Sequence, residues 1–368
     1  MEFKFGLEVE VPLVRKKKRF IFVDFLNTSF NELSIIIKKI PKFKSDYKYL
    51  RIGDLKIKEK RIYIEGYERF YPNGSFRTCL IKGLEIRTTP HLKIEDVLKE
   101  LRESYFILKK HLLKLSFFPT WISFNPFKKH FEPSLNKYEK KMRKESPESL
   151  TANLANLTFG PDFNFSIKSL DDKKLIDIAM KLTYYSPFIV PFSFSSPFFN
   201  KKLWRGYSYR TYKRTGLRPS CLVFLNDSRN MIKSFPSLTQ ISRIEAEKGR
   251  IEFKAFDTCG SLKMYQTLFI LLKGLILDDS LKKRSLVPNY KAHKISALYG
   301  FKNELIKKEA LKILSSVMNY LDNKEKDFIY FLKEIVLSNN LPVLKLIDDF
   351  KKSRSIIKTL LNNENISL

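Results

Sequence analysis

In the opening fourteen residues, MEFKFGLEVEVPLV, Phe3, Phe5, Leu7, Val9 and Val11 alternate with Lys4, Gly6, Glu8 and Glu10. A period of two predicts a strand with one core face and one acidic face. Glu8 and Glu10 then lie about 6 to 7 Å apart along the same face. In water their repulsion is well below about 1 kcal/mol, but in a partly buried setting it rises to about 2 to 3 kcal/mol, a cost that a cation removes. The runs Gly83 to Thr88 and Arg250 to Asp257 also set an acid, Glu85 or Glu252, among apolar neighbours. Three acidic strands facing one cleft satisfy this pattern, and so do three half-exposed strands with their acids in water.

The remaining pattern is that of an α+β chain. A basic turn at Arg15 to Arg19 leads to a second strand-like run, Arg19 to Phe25, and to a helix over Ser29 to Ile40. Arg61 to Phe70 and Ser75 to Thr88 alternate on either side of Pro72-Asn73-Gly74, a hairpin signal that brings Glu65 close to Glu85. Apolar residues at helical spacing predict a helix from Ile94 to Leu115, and a core stripe rather than a site. A strand at Thr158 to Ile167 and a helix at Asp171 to Thr183 follow. The aromatic stretch Ser193 to Arg218 reads as a loop of the kind that carries function. Ile251 to Phe256 is a strand and Leu262 to Leu277 a buried helix. From Asn303 onward the chain is almost all helical, broken near Asp322 to Glu325 and at Asn339 to Pro342. The expected organisation is one body over residues 1–300 with a helical extension over 301–368 packed on it.

Composition narrows the class. With 368 residues, 43% of them hydrophobic, the chain can bury a large core. Its net charge of +30 invites a nucleic-acid reading. The basic residues are spread through almost every segment, however, and no zinc-finger spacing, basic zipper or aromatic RNA-binding motif accompanies them. An anionic small-molecule substrate is the better match. Cys79, Cys221 and Cys259 are too few and too widely spaced for a disulfide scaffold or a zinc site, so reduced thiols and a cytoplasmic location are expected. The chain enters a strand at once, with no secretory leader expected, and no apolar stretch is long and clean enough to span a bilayer.

Five motifs, in order, carry a resemblance. They are Gly6-Leu7-Glu8-Val9-Glu10, Leu84-Glu85-Ile86-Arg87-Thr88, Phe159-Gly160-Pro161-Asp162-Phe163-Asn164, Ser195-Ser196-Pro197-Phe198 with Gly206-Tyr207-Ser208-Tyr209-Arg210, and Ile251-Glu252-Phe253-Lys254-Ala255-Phe256-Asp257. Over roughly residues 1–300 the chain resembles the glutamate-cysteine ligase and carboxylate-amine ligase family. The segment Arg214 to Pro219 is similar to that of the plant and proteobacterial branch. The resemblance implies a glutamine synthetase-like fold, related to that of the guanidino kinases. In it an antiparallel sheet forms a half-barrel active-site cleft, with helices packed outside. It implies ATP with Mg²⁺ held by strand glutamates, here Glu8, Glu10, Glu85 and Glu252. It also implies nucleotide or substrate contacts from Arg210, Lys254 and Asn164. Oxygen-rich carboxylates suit Mg²⁺, which shares its shell with water and phosphates.

The implied reaction overcomes the poor electrophilicity of a free carboxylate. The γ-phosphate of ATP passes to it, and an amine attacks the resulting acyl phosphate. L-Glutamate and L-cysteine are the expected substrates, giving γ-glutamylcysteine through a γ-glutamyl phosphate as in glutathione biosynthesis. Positioning and charge neutralisation dominate such a transfer. Arg210 is either a phosphate or acid contact or a surface loop residue. Lys254 stands where the family usually has Arg, and is either a compact substitute for it or a solvated strand residue. Asp162 is unexpected at its position. It either adds a metal ligand, repels an acidic substrate, or ends the turn after Gly160-Pro161. Three other readings remain open: a ligase for another amine, a phosphotransferase similar to the guanidino kinases, and a non-catalytic basic binding protein. The pattern fits a monomer or a homodimer.

Overall fold

The computed structural model describes residues 2–50, 57–145, 150–168 and 170–363. Seven strands form the main sheet: β1 Phe3–Val11, β2 Ile62–Phe70, β3 Phe76–Arg87, β4 Pro161–Ile167, β5 Cys221–Leu225, β6 Thr239–Ile241 and β7 Arg250–Phe253. Their order across the sheet is β6-β5-β7-β4-β1-β3-β2. Every pair is antiparallel except β5 with β6. The sheet curls into a half-barrel with helices on its outer side, as expected for the α+β class.

The alternation in β1 sets the two faces. Phe3, Phe5, Leu7, Val9 and Val11 are buried, whereas Glu8 and Glu10 are half-buried on the concave side. The main helices are α1 Phe30–Lys39, α2 Ile94–Leu113, α3 Asp172–Ile189, α4 Tyr209–Arg214 and α5 Leu262–Leu277, of which α1, α2 and α5 follow the sequence closely. Ser29 caps α1 in a capping box with Glu32, which satisfies two otherwise unpaired N–H groups. Phe269 of α5 packs edge-on against Phe5, Phe163 and Phe165, at ring distances of 5.9, 4.7 and 5.6 Å. A helix as largely apolar as α5 needs cover on most sides. The sheet provides it on one side, and the helices Glu304–Val317 and Asn323–Ser338 on the other, so residues of the C-terminal part share one core with β1. The helix Ile356–Leu361 returns to a small sheet made by Leu13–Lys16, Phe20–Phe22 and Phe117–Pro119, where Thr120 donates to the Leu360 carbonyl.

The hairpin turn falls at Asn73-Gly74, with Gly74 at φ +85° and the Asn73 side chain accepting from the Ser75 N–H. Arg15 and Lys16 end a short strand, and Lys16 to Arg19 are exposed. Helix α3 runs past Thr183 to Ile189 and takes in Pro187, and α4 interrupts the expected loop. No helix among the described residues is long and apolar enough to cross a membrane.

Beneath the cleft floor, His293 is buried with Nδ1 3.0 Å from the Asn289 carbonyl and Nε2 3.1 Å from the Ser186 hydroxyl. Burial, despite the Asn289 bond, pushes the imidazole down from 6.5 to about 4. A depressed histidine contributes stability that is present above the unfolded value and lost as pH falls from about 6.5 toward 4. Full loss amounts to about 3 kcal/mol. Urea unfolding at pH 7 and pH 4 should show that extra loss in the wild type and its absence in His293→Gln. Equal declines would refute the assignment.

A candidate active site on the concave face

Register brings the acidic residues together. Glu10 lies opposite Glu85, and Glu85 opposite Tyr63, so β1, β3 and β2 share these positions on one face. Glu8 lies opposite Asp162, and Asn164 opposite Glu252, which carries the same face through β4 to β7. The acids expected from three strands therefore line one cleft, with Glu65 of β2 beside them. Glu65 sits next to a bulge at Gly66, where a Cβ would run into the backbone of β3, so only glycine fits.

The acids form two differently neutralised groups. Carboxylate oxygens of Glu10, Glu65 and Glu85 lie within 4.8 Å of one another. Glu10 is bonded to Lys82 and accepts from the Gly160 N–H at 2.8 Å. Burial raises Glu85 well above the ordinary carboxylate range, and the charges of Glu65 and Glu8 raise it further. Burial also works on Glu8, but Arg250 and Arg87, with a bond to Glu85, outweigh it and hold Glu8 at about 2. Across the cleft, Lys254 bonds both Asp162 and Glu252. Arg250 pairs with Glu252 at 3.0 Å and approaches Glu8 at 3.6 Å, with its guanidinium over the Phe224 ring. Lys254 and Asp162, the two departures noted in the sequence, are thus ionic partners. Asp162 lies within β4 and is no turn residue. Asn164 donates to Glu8 and to the Asp162 carbonyl, both at 3.3 Å, while its buried Oδ1 has no partner.

Arginines form the far wall. Arg210 is buried, not on the surface, and its guanidinium donates to the carbonyls of Ala255 and Lys254 at 3.0 and 3.1 Å. Gly160 packs directly on it, and any side chain there would collide with the guanidinium. Arg210 also lies 3.5 Å from Asp257. Asp257 is fully buried and accepts from the Ser195 N–H, the Ser196 hydroxyl and the Ser208 hydroxyl at 3.0, 2.8 and 2.9 Å. The serine-rich segment thus forms scaffold around Asp257, and Ser195 and Ser196 do not face the cleft. One helical turn beyond Arg210, Arg214 lines the cleft, buried, and its guanidinium makes no hydrogen bond or ion pair among the described residues. Burial and the like charges of Arg210 and Arg218 depress its proton affinity, yet a guanidinium keeps its charge. An uncompensated buried cation calls for an anion from outside.

Sequence reasoning gathered Glu8, Glu10, Glu85 and Glu252 but left Glu65 out of the ligand set and did not single out Arg214. The hairpin turn was the signal for Glu65. Arg214 had one too: it stands at i+4 from Arg210, on the same helix face.

The curled half-barrel with helices outside is a fold that the chain shares with solved structures of a class of ligases. Among solved structures of this class, the chain is similar to the glutamate-cysteine ligase of Francisella tularensis in complex with AMP. The TM-score is 0.55 at 13% identity, over 99% of this chain and 88% of that one. It is also similar to a bifunctional glutathione synthetase from Pasteurella multocida, with TM-score 0.54 and 13% identity over 98% of this chain, and it spans 52% of that longer protein. The ligase PafA, in complex with the ubiquitin-like protein Pup, gives TM-score 0.51 at 10% identity over 99% of this chain and 73% of its own. No protein-family model matches, and no curated protein sequence matches significantly.

Proposed function

We propose that the protein is an ATP-dependent carboxylate-amine ligase, activating an acidic amino acid as its acyl phosphate and passing the acyl group to an amine. One observation carries this reading: carboxylates from adjacent strands converge on one cleft whose opposite wall presents Arg214, a buried cation whose guanidinium has no hydrogen bond or ion pair among the described residues. The comparisons support it at the level of the fold.

The residues fit a divalent cation at one end of the cleft. Glu10, Glu65 and Glu85 bring hard oxygen donors within reach of one another, and burial, with the charges of Glu65 and Glu8, raises the proton affinity of Glu85, an effect that a bound cation offsets. A bound Mg²⁺ supplies charge neutralisation for phosphate oxygens there. Arg214, with Arg218 behind it, holds the acidic substrate or the transferred phosphate. Arg210 is bonded to the strand end that carries Lys254 and acts as a positioning residue. Glu8, held ionised by Arg250 and Arg87, accepts from Asn164 and so fixes that side chain. For substrates we favour the γ-carboxyl of L-glutamate and the amine of L-cysteine, a choice that rests on the sequence motifs and on the similarity to a glutamate-cysteine ligase.

The test is ADP and phosphate release from MgATP with L-glutamate and a panel of amines that includes L-cysteine. Release that requires both glutamate and one amine, and falls about 100-fold or more in Arg214→Ala, is the expected result. Release with an amine other than cysteine keeps the ligase class and replaces the acceptor. Nucleotide-dependent phosphorylation with no amide formed would replace the ligase by a phosphotransferase.

A further inference from the structure

Neutralisation differs between the two ends of the acidic face. At the β2-β3 end, Glu10 is bonded to Lys82 and the Lys58 charge acts on Glu65 and Glu85, but neither of these two has a lysine or arginine at ion-pair distance among the described residues, and with Glu10 they form a trio of donor oxygens. At the β4-β7 end every acid already has its cation. Lys254 Nζ bonds Glu252 Oε1 and Asp162 Oδ2, and Arg250 Nη2 takes Glu252 Oε2 at 3.0 Å. Both oxygens of Glu252 are therefore occupied by side chains of its own strand, and no comparable acidic trio forms around it among the described residues. A divalent ion placed there would have to displace an ammonium held between two carboxylates and then meet its charge at close range. At about 4 Å, like charges in such a setting repel by several kcal/mol.

The residues at Glu252 thus do not fit a metal site, although the family resemblance implies one. Resting on the ligase reading above, we infer that the Lys254 ammonium is a built-in substitute for a metal ion at the Glu252–Asp162 end. Divalent cations then bind only at the Glu10–Glu65–Glu85 end. Asp162 completes the device. A lysine beside Glu252 alone would carry one net charge against one. The second carboxylate, supplied from the neighbouring strand, fixes the long side chain in place, so that its compact charge stays at the Glu252–Asp162 end. Asp162 and Lys254 lie 92 positions apart in the chain, so the pair exists only because β4 and β7 are neighbours.

The experiment counts bound Mn²⁺ on the full chain without nucleotide, by electron paramagnetic resonance of the free ion. It needs no turnover. The wild type is expected to bind about one Mn²⁺ per chain, Glu85→Gln to lose it, and Glu252→Gln to keep it. Lys254→Met, which retains the length but removes the charge, should rise to about two, and Lys254→Arg should stay at about one. Circular dichroism checks that each variant is folded. Two ions on the wild type, one of them lost in Glu252→Gln, would overturn the assignment of Lys254 while leaving the metal reading of the cleft intact. A folded Lys254→Met that stays at one would also overturn it. No Mn²⁺ on the wild type would remove the metal reading itself, and the assignment with it. Because Glu252→Gln is read on a background that retains Lys254, the test survives even if Lys254→Met does not fold.

Discussion

Glutamine in place of Glu85 is expected to lower ATP turnover by about 10³-fold or more and at the same time to make the ligand-free chain more stable. Both effects come from one geometry. Glu10, Glu65 and Glu85 offer oxygens within 4.8 Å of one another, and Glu85 is buried. Without a bound cation, an ionised Glu85 repels its neighbours by about 1 to 3 kcal/mol after partial relief by Lys58. Because its proton affinity is raised in the folded chain, its favourable contribution is present at low pH and fades as pH rises through that elevated value. Glutamine removes both the repulsion and that slope. Thermal unfolding against pH should therefore show a flatter, higher curve for Glu85→Gln without metal, and addition of Mg²⁺ should raise the wild type but not the variant. A variant less stable than the wild type at pH 8, or one still stabilised by Mg²⁺, would contradict the metal role of this residue.

Alanine at Asp257 should have the largest effect on stability, about 3 to 5 kcal/mol. Asp257 is wholly buried and accepts from one N–H and two hydroxyls while facing Arg210. Removing it leaves a buried guanidinium uncompensated and three donors without an acceptor, and a fully desolvated donor costs about 1 to 3 kcal/mol on its own. The damage should not stay local, because Arg210 is bonded to the Lys254 and Ala255 carbonyls and Ser208 caps α4, which carries Arg214. Urea unfolding gives the stability loss. Asp257→Asn should be intermediate, since its amide keeps one acceptor oxygen but turns donors toward donors. Near-wild-type stability of Asp257→Ala would mean that this network is relaxed in solution.

Much of the scaffold was legible because it is written in local periods. The alternation in β1, the Asn-Gly turn of the hairpin, the Ser29 cap and the largely apolar α5 each need only a few neighbouring residues to be read. The acidic face was legible for the same reason, as a period-two pattern repeated in three runs. What was not legible depends on which strands are neighbours. Lys254 and Asp162 each looked odd alone, and they make sense only as a cross-strand pair. Asp257 sat at the end of a motif with nothing local to announce that three serines from another segment would close around it. The extension of α3 through Pro187 was missed because proline reads locally as a stop, whereas here the end of the helix is held by burial on nearly all sides.

The position of β1 in the sheet has a consequence for synthesis of the chain. β1, which precedes the other six strands of the sheet in chain order, is a central one, bordered by β3 on one side and by β4 on the other. Its partner β3 is translated within the first hundred residues, but β4 arrives only at Pro161 and β7 only at Arg250. Until then a Phe- and Val-rich strand keeps one edge unpaired and its apolar face without α5, which follows later still. A nascent chain of this kind cannot close domain by domain from its N-terminus and must wait for long-range partners, the situation in which folding is slow and exposed edges recruit other chains. Ribosome-held intermediates of this protein should therefore be strong clients of holding chaperones until roughly residue 280 has emerged.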